Sequence, residues 1–274
     1  MSKITVVAQP GRDVPRTELE KKMLGVAEQV LDEAKKCGAT AAEASIGQGQ
    51  GLSVTVRHGE VETVEHNRDK SLDVTVYFDH RGGCASTTDF SSRAIADSVA
   101  AACTIARYTE EDPYNGLADP ELLAREFPDL DLDHPWQPEM EQAIEQVRIC
   151  EQAALDLNSR ITNSEGATLN SHDGCGLYAN SLDFAGFSRG SRHGLSCAVI
   201  GGEGDAMQRD YWYDSARDHN DLQAPAEVGR LAAERTVRRL GAQKIKSAQL
   251  PVVFEAPVAA SLLSHLVSAI SGGS

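Results

Sequence analysis

Three stretches of the chain carry residue types that do chemistry. Gly186-Phe187-Ser188-Arg189-Gly190 has the G-x-S-x-G form of a hydrolase nucleophile elbow, with Ser188 as the attacking hydroxyl. That role demands a sharp strand-to-helix turn. The residues after it, SRHGLSCAVIGG, are strand-like and glycine-punctuated, so the pentapeptide reads as part of a glycine-rich meander. His172-x-x-Cys175 and His193-x-x-x-Cys197 together supply four donors of the kind that hold zinc. Residues three apart on a strand point to opposite faces, so the four converge only if each half lies on a tight turn. SHDGCG offers such a turn and RHGLSC does so less convincingly; buried cysteines and surface histidines are the expectation. The third is His265, the single histidine of the C-terminal stretch PVAASLLSHLVSAISGGS.

Two further stretches read as structure. Residues 201–206, GGEGDA, lack the Lys-Ser/Thr of a phosphate-binding loop and are followed by no helix, so they form a hairpin turn. Tyr211-Trp212-Tyr213 has ring faces to offer a ligand, but aromatics in a strand more often pack a core or an interface. No two of the many carboxylates form a pair that the sequence can place in space.

The elements that must position these residues are legible from periodicity. Thr17-x-x-Glu20 has the form of a capping box, and Leu19, Met23, Ala27, Val30, Leu31 and Ala34 make one apolar stripe that stops at Gly38. The period then changes from 3.6 to 2. LSVTVR, EVETVE and LDVTVYF alternate as strands, with a turn at His58-Gly59, a turn over DHRGG and a shorter strand GCASTT. Asp89 is placed to cap a helix running to about Tyr108. Five of the ten prolines fall in residues 112–138, an irregular connection.

The same order then recurs. A helix from Glu139 to about Asn158 buries Met140, Ile144, Val147 and Leu155. Short strands broken by turns follow through ITNSEGATLNS, CGLYANS, DFAGFSR, GLSCAVIG and MQRDYWY, and a helix runs from Pro225 to Gly241. A third unit begins with the strand LPVVFEA and a terminal helix. The expected fold is therefore α+β: a helix–antiparallel meander–helix N-terminal domain over 1–111, the Pro-rich connection 112–138, a second α+β domain of similar layout over 139–247, and the start of a truncated third domain over 248–274.

Composition bounds the function. The chain has 274 residues and a net charge of −15, from 41 acids and 26 bases, which opposes direct contact with a phosphate backbone. The scattered cysteines, without a C-x-x-C pair, suggest reduced thiols in a cytoplasmic setting. The opening MSKITVVAQPGRD lacks a signal peptide's apolar core, and no stretch approaches a membrane span.

Three blocks in order resemble one family. They are the stretch from GLSVTVRHGEVETVEHNRDKSLDVTVYF to ARYTEEDPYNGLAD, the meander SLDFAGFSRGSRHGLSC with MQRDYWY, and LPVVFEAPVAASLLSHLVSAISGGS. Together they are similar to the TldD/PmbA family of metalloproteases, in its PmbA (TldE) branch. The resemblance implies a cytoplasmic proteolytic complex: a heterodimer of a TldD-like and a PmbA-like subunit that trims or degrades unfolded peptides, including leader removal from modified peptide antibiotics and turnover of an antitoxin. The family's zinc site is an H-E-x-x-x-H helix of the TldD-like subunit, its glutamate acting as general base. Aligned through Val252-Val253 and Leu262-Leu263, the six motif positions fall on Ser264, His265, Leu266, Val267, Ser268 and Ala269. One imidazole does not make a zinc site. The resemblance therefore implies no catalytic, cofactor-binding or metal residue in this chain, with zinc in the TldD-like partner.

Family members continue past this point into a β-rich domain, so a truncated chain with an uncovered apolar helix, prone to oligomerise, is expected. The rival readings are a self-sufficient serine or metal hydrolase, and a non-enzymatic protein-binding regulator of the gyrase-modulator type.

Overall fold

The computed structural model describes residues 5–6 and 17–271, and the chain divides into two units that meet between Leu240 and Gly241. The first unit is built on a seven-stranded sheet. Its elements in order are β1 (Thr5–Val6), α1 (Glu18–Lys36), β2 (Ala41–Arg57), β3 (Glu60–Phe78), β4 (Arg81–Thr87), α2 (Ser92–Tyr108), α3 (Met140–Asp156), β5 (Ile161–Asn180), β6 (Phe184–Gly201), β7 (Gln208–Ala216) and α4 (Pro225–Arg239).

Helix, three-strand meander, helix occurs twice, as the order of elements suggested. The two copies are joined through an antiparallel β2–β5 pair, giving the strand order β4-β3-β2-β5-β6-β7, with β1 parallel to β6 at Phe184 and Ala185. The β2–β5 register pairs Gln50 with Asp173, close to the middle of both strands. An approximate two-fold axis through that point relates the halves. The domains expected over 1–111 and 139–247 thus share one continuous sheet.

Alternation along β2 shows where the helices lie. Ala42, Ala44 and Ile46 are buried in a core closed by α1 and α2; Leu52, Val54 and Val56 are buried in a second core closed by α3 and α4. All six have the same parity, so both helical layers cover one face and the other is bare of helices. Gln48 and Gln50 fall in the gap between the layers.

Local signals behaved as chemistry dictates. Thr17 and Glu20 form the full capping box, and Gly38 stops α1 with φ of 82°. For α2 the cap is Ser91 rather than Asp89: the Ser91 hydroxyl accepts from Ala94 N, while the Asp89 carboxylate accepts from Ser91 N at 2.9 Å, one Asx turn further out. Asp79 and His80, not the whole of DHRGG, make the β3–β4 turn. In α3 the fully buried face is Ala143, Val147, Cys150 and Ala154; Met140, Ile144 and Leu155 pack beside it only partly buried.

Two larger expectations fail. EVETVE and LDVTVYF belong to one strand, and the short strands expected between residues 161 and 201 are two unbroken strands of 20 and 18 residues. Their glycines weaken the ladder without ending it, and bulges near Thr162 and Glu165 absorb the irregularity. LPVVFEA is not a strand: residues 250–255 have no regular structure, and the helix α5 of the second unit runs from Ala256 to Ile270. No described strand lies beside LPVVFEA to complete a ladder, and an unpaired strand is not stable.

The connection 112–138 is irregular apart from one turn at Pro120–Leu122, but it is anchored. Leu132 O accepts from Ser191 N at 2.8 Å, His134 N donates to Ser191 Oγ at 2.8 Å, and Trp136 stacks on His219 with ring centres 4.6 Å apart. No helix of the described residues is long and apolar enough to cross a membrane.

Candidate functional site

The middle of the sheet, around the two-fold axis, is where neither helical layer reaches. On the helix-free face the strand registers set three rows side by side. Ser71, Gly47, Gly176 and Ser188 form one; Asp69, Gly49, Gly174 and Gly190 the next; Asn67, Gly51, His172 and Arg192 the third. Gly186 and Gly194 extend the same face along β6. Glycines at alternate positions on three adjacent strands strip one face of side chains while leaving the ladder intact.

The bare floor is required by what lies on it. A Cβ at Gly49 would come within 2.8 Å of His172 Cε1, and one at Gly51 would collide with Asn67 Oδ1. At Gly174 it would sit 3.4 Å from His172 Nε2. The His172 imidazole therefore lies across Gly49 and Gly174. The depression above the floor has a volume of about 530 Å³ and is rimmed by Asp69, Ser71, Ser188 and Arg192. At one end of this face Glu43 accepts hydrogen bonds from the hydroxyls of Tyr77 and Tyr178, at 2.9 and 2.5 Å. Burial, then the Glu43 carboxylate, pushes the Tyr178 phenol up to about 12 and raises that of Tyr77 as well.

The opposite side of the same rows, between the helical layers, is a polar trough of about 660 Å³ that includes Gln48, Gln50, Asp173, Cys175 and Arg189. Gln50 Nε2 donates to Asp173 Oδ2 at 3.1 Å, and Trp136 N donates to the other carboxylate oxygen at 3.3 Å. The sheet centre thus carries glycines on one face and hydrogen-bonding side chains on the other.

The sequence-suggested clusters come apart. Ser188 lies within β6, not on a strand-to-helix elbow. His172 stands four residue pairs further along the sheet, on the order of 13 Å away. His172 and Cys175 point to opposite faces of β5. His193 and Cys197 share a face but are four residues apart on a continuous strand, again on the order of 13 Å. His193 is fully buried, with one ring nitrogen 2.9 Å from Ser171 Oγ and the other 2.9 Å from His134 O. Cys197 is buried against Cys150, whose thiol it raises. Trp212 packs into the second core while Tyr211 and Tyr213 remain about half exposed on the helix-free face; GGEGDA forms the β6–β7 turn. In the second unit, His265 sits on α5, which has no buried residue. Among the described residues no group of three or more His, Cys, Asp or Glu side chains fits a metal ion.

The glycine floor stands in the sequence as I-G-Q-G-Q-G, a stretch given no reading above, and as G-C-G within SHDGCG, read there as a turn. Period-2 glycine on a strand marks a face, not a break.

Comparison with known proteins agrees with this architecture. Residues 42–106 match the model of PmbA/TldA metallopeptidase domain 1, and residues 133–240 match that of the PmbA/TldA metallopeptidase central domain. The metalloprotease PmbA of Escherichia coli O157:H7 is 44% identical over 261 residues, covering 95% of this chain and 58% of that protein. The PmbA homolog of Haemophilus influenzae is 44% identical over 241 residues, 88% of this chain and 53% of its own length. The chain thus spans little more than half the length of these curated relatives. Among solved structures, a proposed modulator of DNA gyrase from Bacteroides thetaiotaomicron superposes with a TM-score of 0.84 at 25% identity, over 93% of this chain and 58% of the other. TldE from Thermococcus kodakarensis superposes at 0.63 and 14% identity, over 77% and 47%, which is a likeness of fold alone.

Proposed function

Because this chain belongs to the PmbA/TldD family of metallopeptidases, we propose that it is a PmbA/TldE-type subunit of a cytoplasmic zinc metalloprotease complex, paired with a TldD-like subunit and acting on unfolded peptides. The observation that carries this reading is the glycine floor. A face of glycines, crossed by the His172 imidazole and the Asn67 amide, leaves room beside them for an extended main chain whatever its sequence, and the Asp69, Ser71, Ser188 and Arg192 rim offers polar contacts at its edges. Such a surface holds a substrate; it does not cut one.

The zinc expected in the complex does not fit the residues present. The described side chains offer no cluster for it, and the aligned positions Ser264 to Ala269 offer one imidazole. No step of bond cleavage is therefore routed through this chain, whose part is to position the peptide while the partner supplies zinc-activated water. The self-sufficient serine hydrolase finds no support in the separation of Ser188 from His172.

Co-expression with a TldD-like protein bearing an intact H-E-x-x-x-H is the test. The two should co-purify and cleave an unfolded peptide in a chelator-sensitive manner, with this chain inactive alone. Chelator-sensitive cleavage by the purified chain alone would overturn the reading. Within an active complex, Gly174→Leu should raise KM for a long unfolded peptide about tenfold with little change in kcat, as loss of positioning demands.

A further inference from the structure

The two halves treat equivalent strand edges differently. On β6, the outer edge beyond β7 is taken up within the chain: β1 pairs with Phe184 and Ala185, and Leu132 O accepts from Ser191 N. The two-fold-related stretch of β3 is Glu60–Ser71. β4 pairs only with Leu72 to Phe78, so among the described residues nothing pairs with the outer edge of Glu60–Ser71. All twelve residues are exposed. At strand rise they present about 40 Å of unpaired backbone.

Natural edges are commonly protected by charge, and this one is charged, but its signs are segregated. Glu60, Glu62 and Glu65 occupy the first half, and both bases, Arg68 and Lys70, lie in the second with the single acid Asp69 between them. In a parallel, in-register pairing with another copy, like charges would face each other. In an antiparallel pairing centred on Glu65, Glu60 and Glu62 fall opposite Lys70 and Arg68, and among charged residues only the two Glu65 side chains meet like with like. The pattern repels one arrangement and favours the other. The flanking hairpin is stiffened from the neighbouring half: both backbone N–H groups of its turn, His58 and Gly59, donate to the buried Glu151 carboxylate at 2.8 Å. The edge is thus held ready, at small ordering cost.

From these observations we propose that the Glu60–Ser71 edge is a self-complementary docking surface whose occupant is the same edge of a second copy of this chain, paired antiparallel about a two-fold axis at Glu65. The contact is isologous and extends the sheet across both copies. It does not depend on the peptidase reading above.

Light scattering on the full chain, with three variants, tests this. The wild type should be a dimer at tens of micromolar. Glu60→Lys with Glu62→Lys, and separately Arg68→Glu with Lys70→Glu, should each weaken self-association at least tenfold, and mixing the two folded variants should restore a dimer. Glu65→Cys should form an intermolecular disulfide under mild oxidation that the wild type, with its six native cysteines, does not. A monomeric wild type would overturn the proposal. So would an oligomer that both double variants leave intact, as one formed through α5 would be, or a mixture that fails to re-associate.

Discussion

The two cores under the sheet are built from different materials. The one beneath α1 and α2 is apolar, centred on Met23, Val30, Ile46, Leu72, Val74 and Ile95 with the thiol of Cys103 among them. Among the described residues, every buried polar or charged side chain lies between Glu151 and Thr236, in the second half of the chain. Glu151, Ser164, Ser171 and His193 each close a hydrogen bond that joins separate elements. A hydrocarbon core tolerates swaps of similar volume, because its attraction is non-directional. A hydrogen-bonded one fails group by group, since each orphaned partner costs its full desolvation. The same architecture, used twice, is held in the first copy by packing and in the second by geometry.

The sharpest way to break this contrast is at Glu151. Its carboxylate accepts from His58 N, Gly59 N and the Ser164 hydroxyl while almost wholly buried. Glu151→Ala orphans three donors and should cost roughly 3 kcal/mol or more by denaturant titration. Leu72→Met in the first core should cost less than about 1.5 kcal/mol. If the two variants melt alike, the distinction between the cores is wrong.

A second pair probes where the halves are equally demanding. Gly83 lets β4 pass beneath α2, where a Cβ would strike Ala102 O and Ala106 N; Gly229 lets α4 cross α3, where a Cβ would strike Cys150 O. In each case the obstacle is helix backbone, which cannot rotate away. Gly83→Ala and Gly229→Ala should therefore both destabilise, by about 2 kcal/mol each. Unequal losses would show that one helical layer yields more readily than the other.

How much of this was readable in advance follows from the range of the interactions. Thr17 and Glu20 sit three residues apart and close their box locally, so the cap was legible; so were the start of α4 at Pro225 and the alternation of β2 and β3. The pairing of Gln50 with Asp173 spans more than a hundred residues and has no local signature, which is why the sheet shared by the two halves was not legible. Gly174 and Gly190 fall between the expected short strands and Gly176, Gly186 and Gly194 within them, and their common face appears only once β5 and β6 are paired. His193 and Cys197 resembled ligands by type, yet one was a buried hydrogen-bonding hub and the other a core thiol. Residue type alone cannot separate a ligand from a satisfied core side chain.

The smallest predicted effect lies where the halves meet on the helix-free face. Tyr77 on β3 and Tyr178 on β5 both donate to Glu43 on the strand between them, so the cluster stitches the two copies together. Both phenols hold their protons more tightly in the fold than free in solution, because burial and the Glu43 carboxylate disfavour the phenolate. For a group raised in this way the stabilisation is complete below the unfolded value near 10, and it drains away as pH climbs through about 12 for Tyr178. Stability should thus be flat through neutrality and fall over that alkaline window, with two of the six tyrosines ionising late in a spectrophotometric titration. Tyr178→Phe should cost about 1 kcal/mol at neutral pH, discounted for its partial exposure, and should reduce the alkaline slope. An unchanged slope would mean that Glu43 is satisfied by water instead, and that the halves are joined by the strand ladder alone.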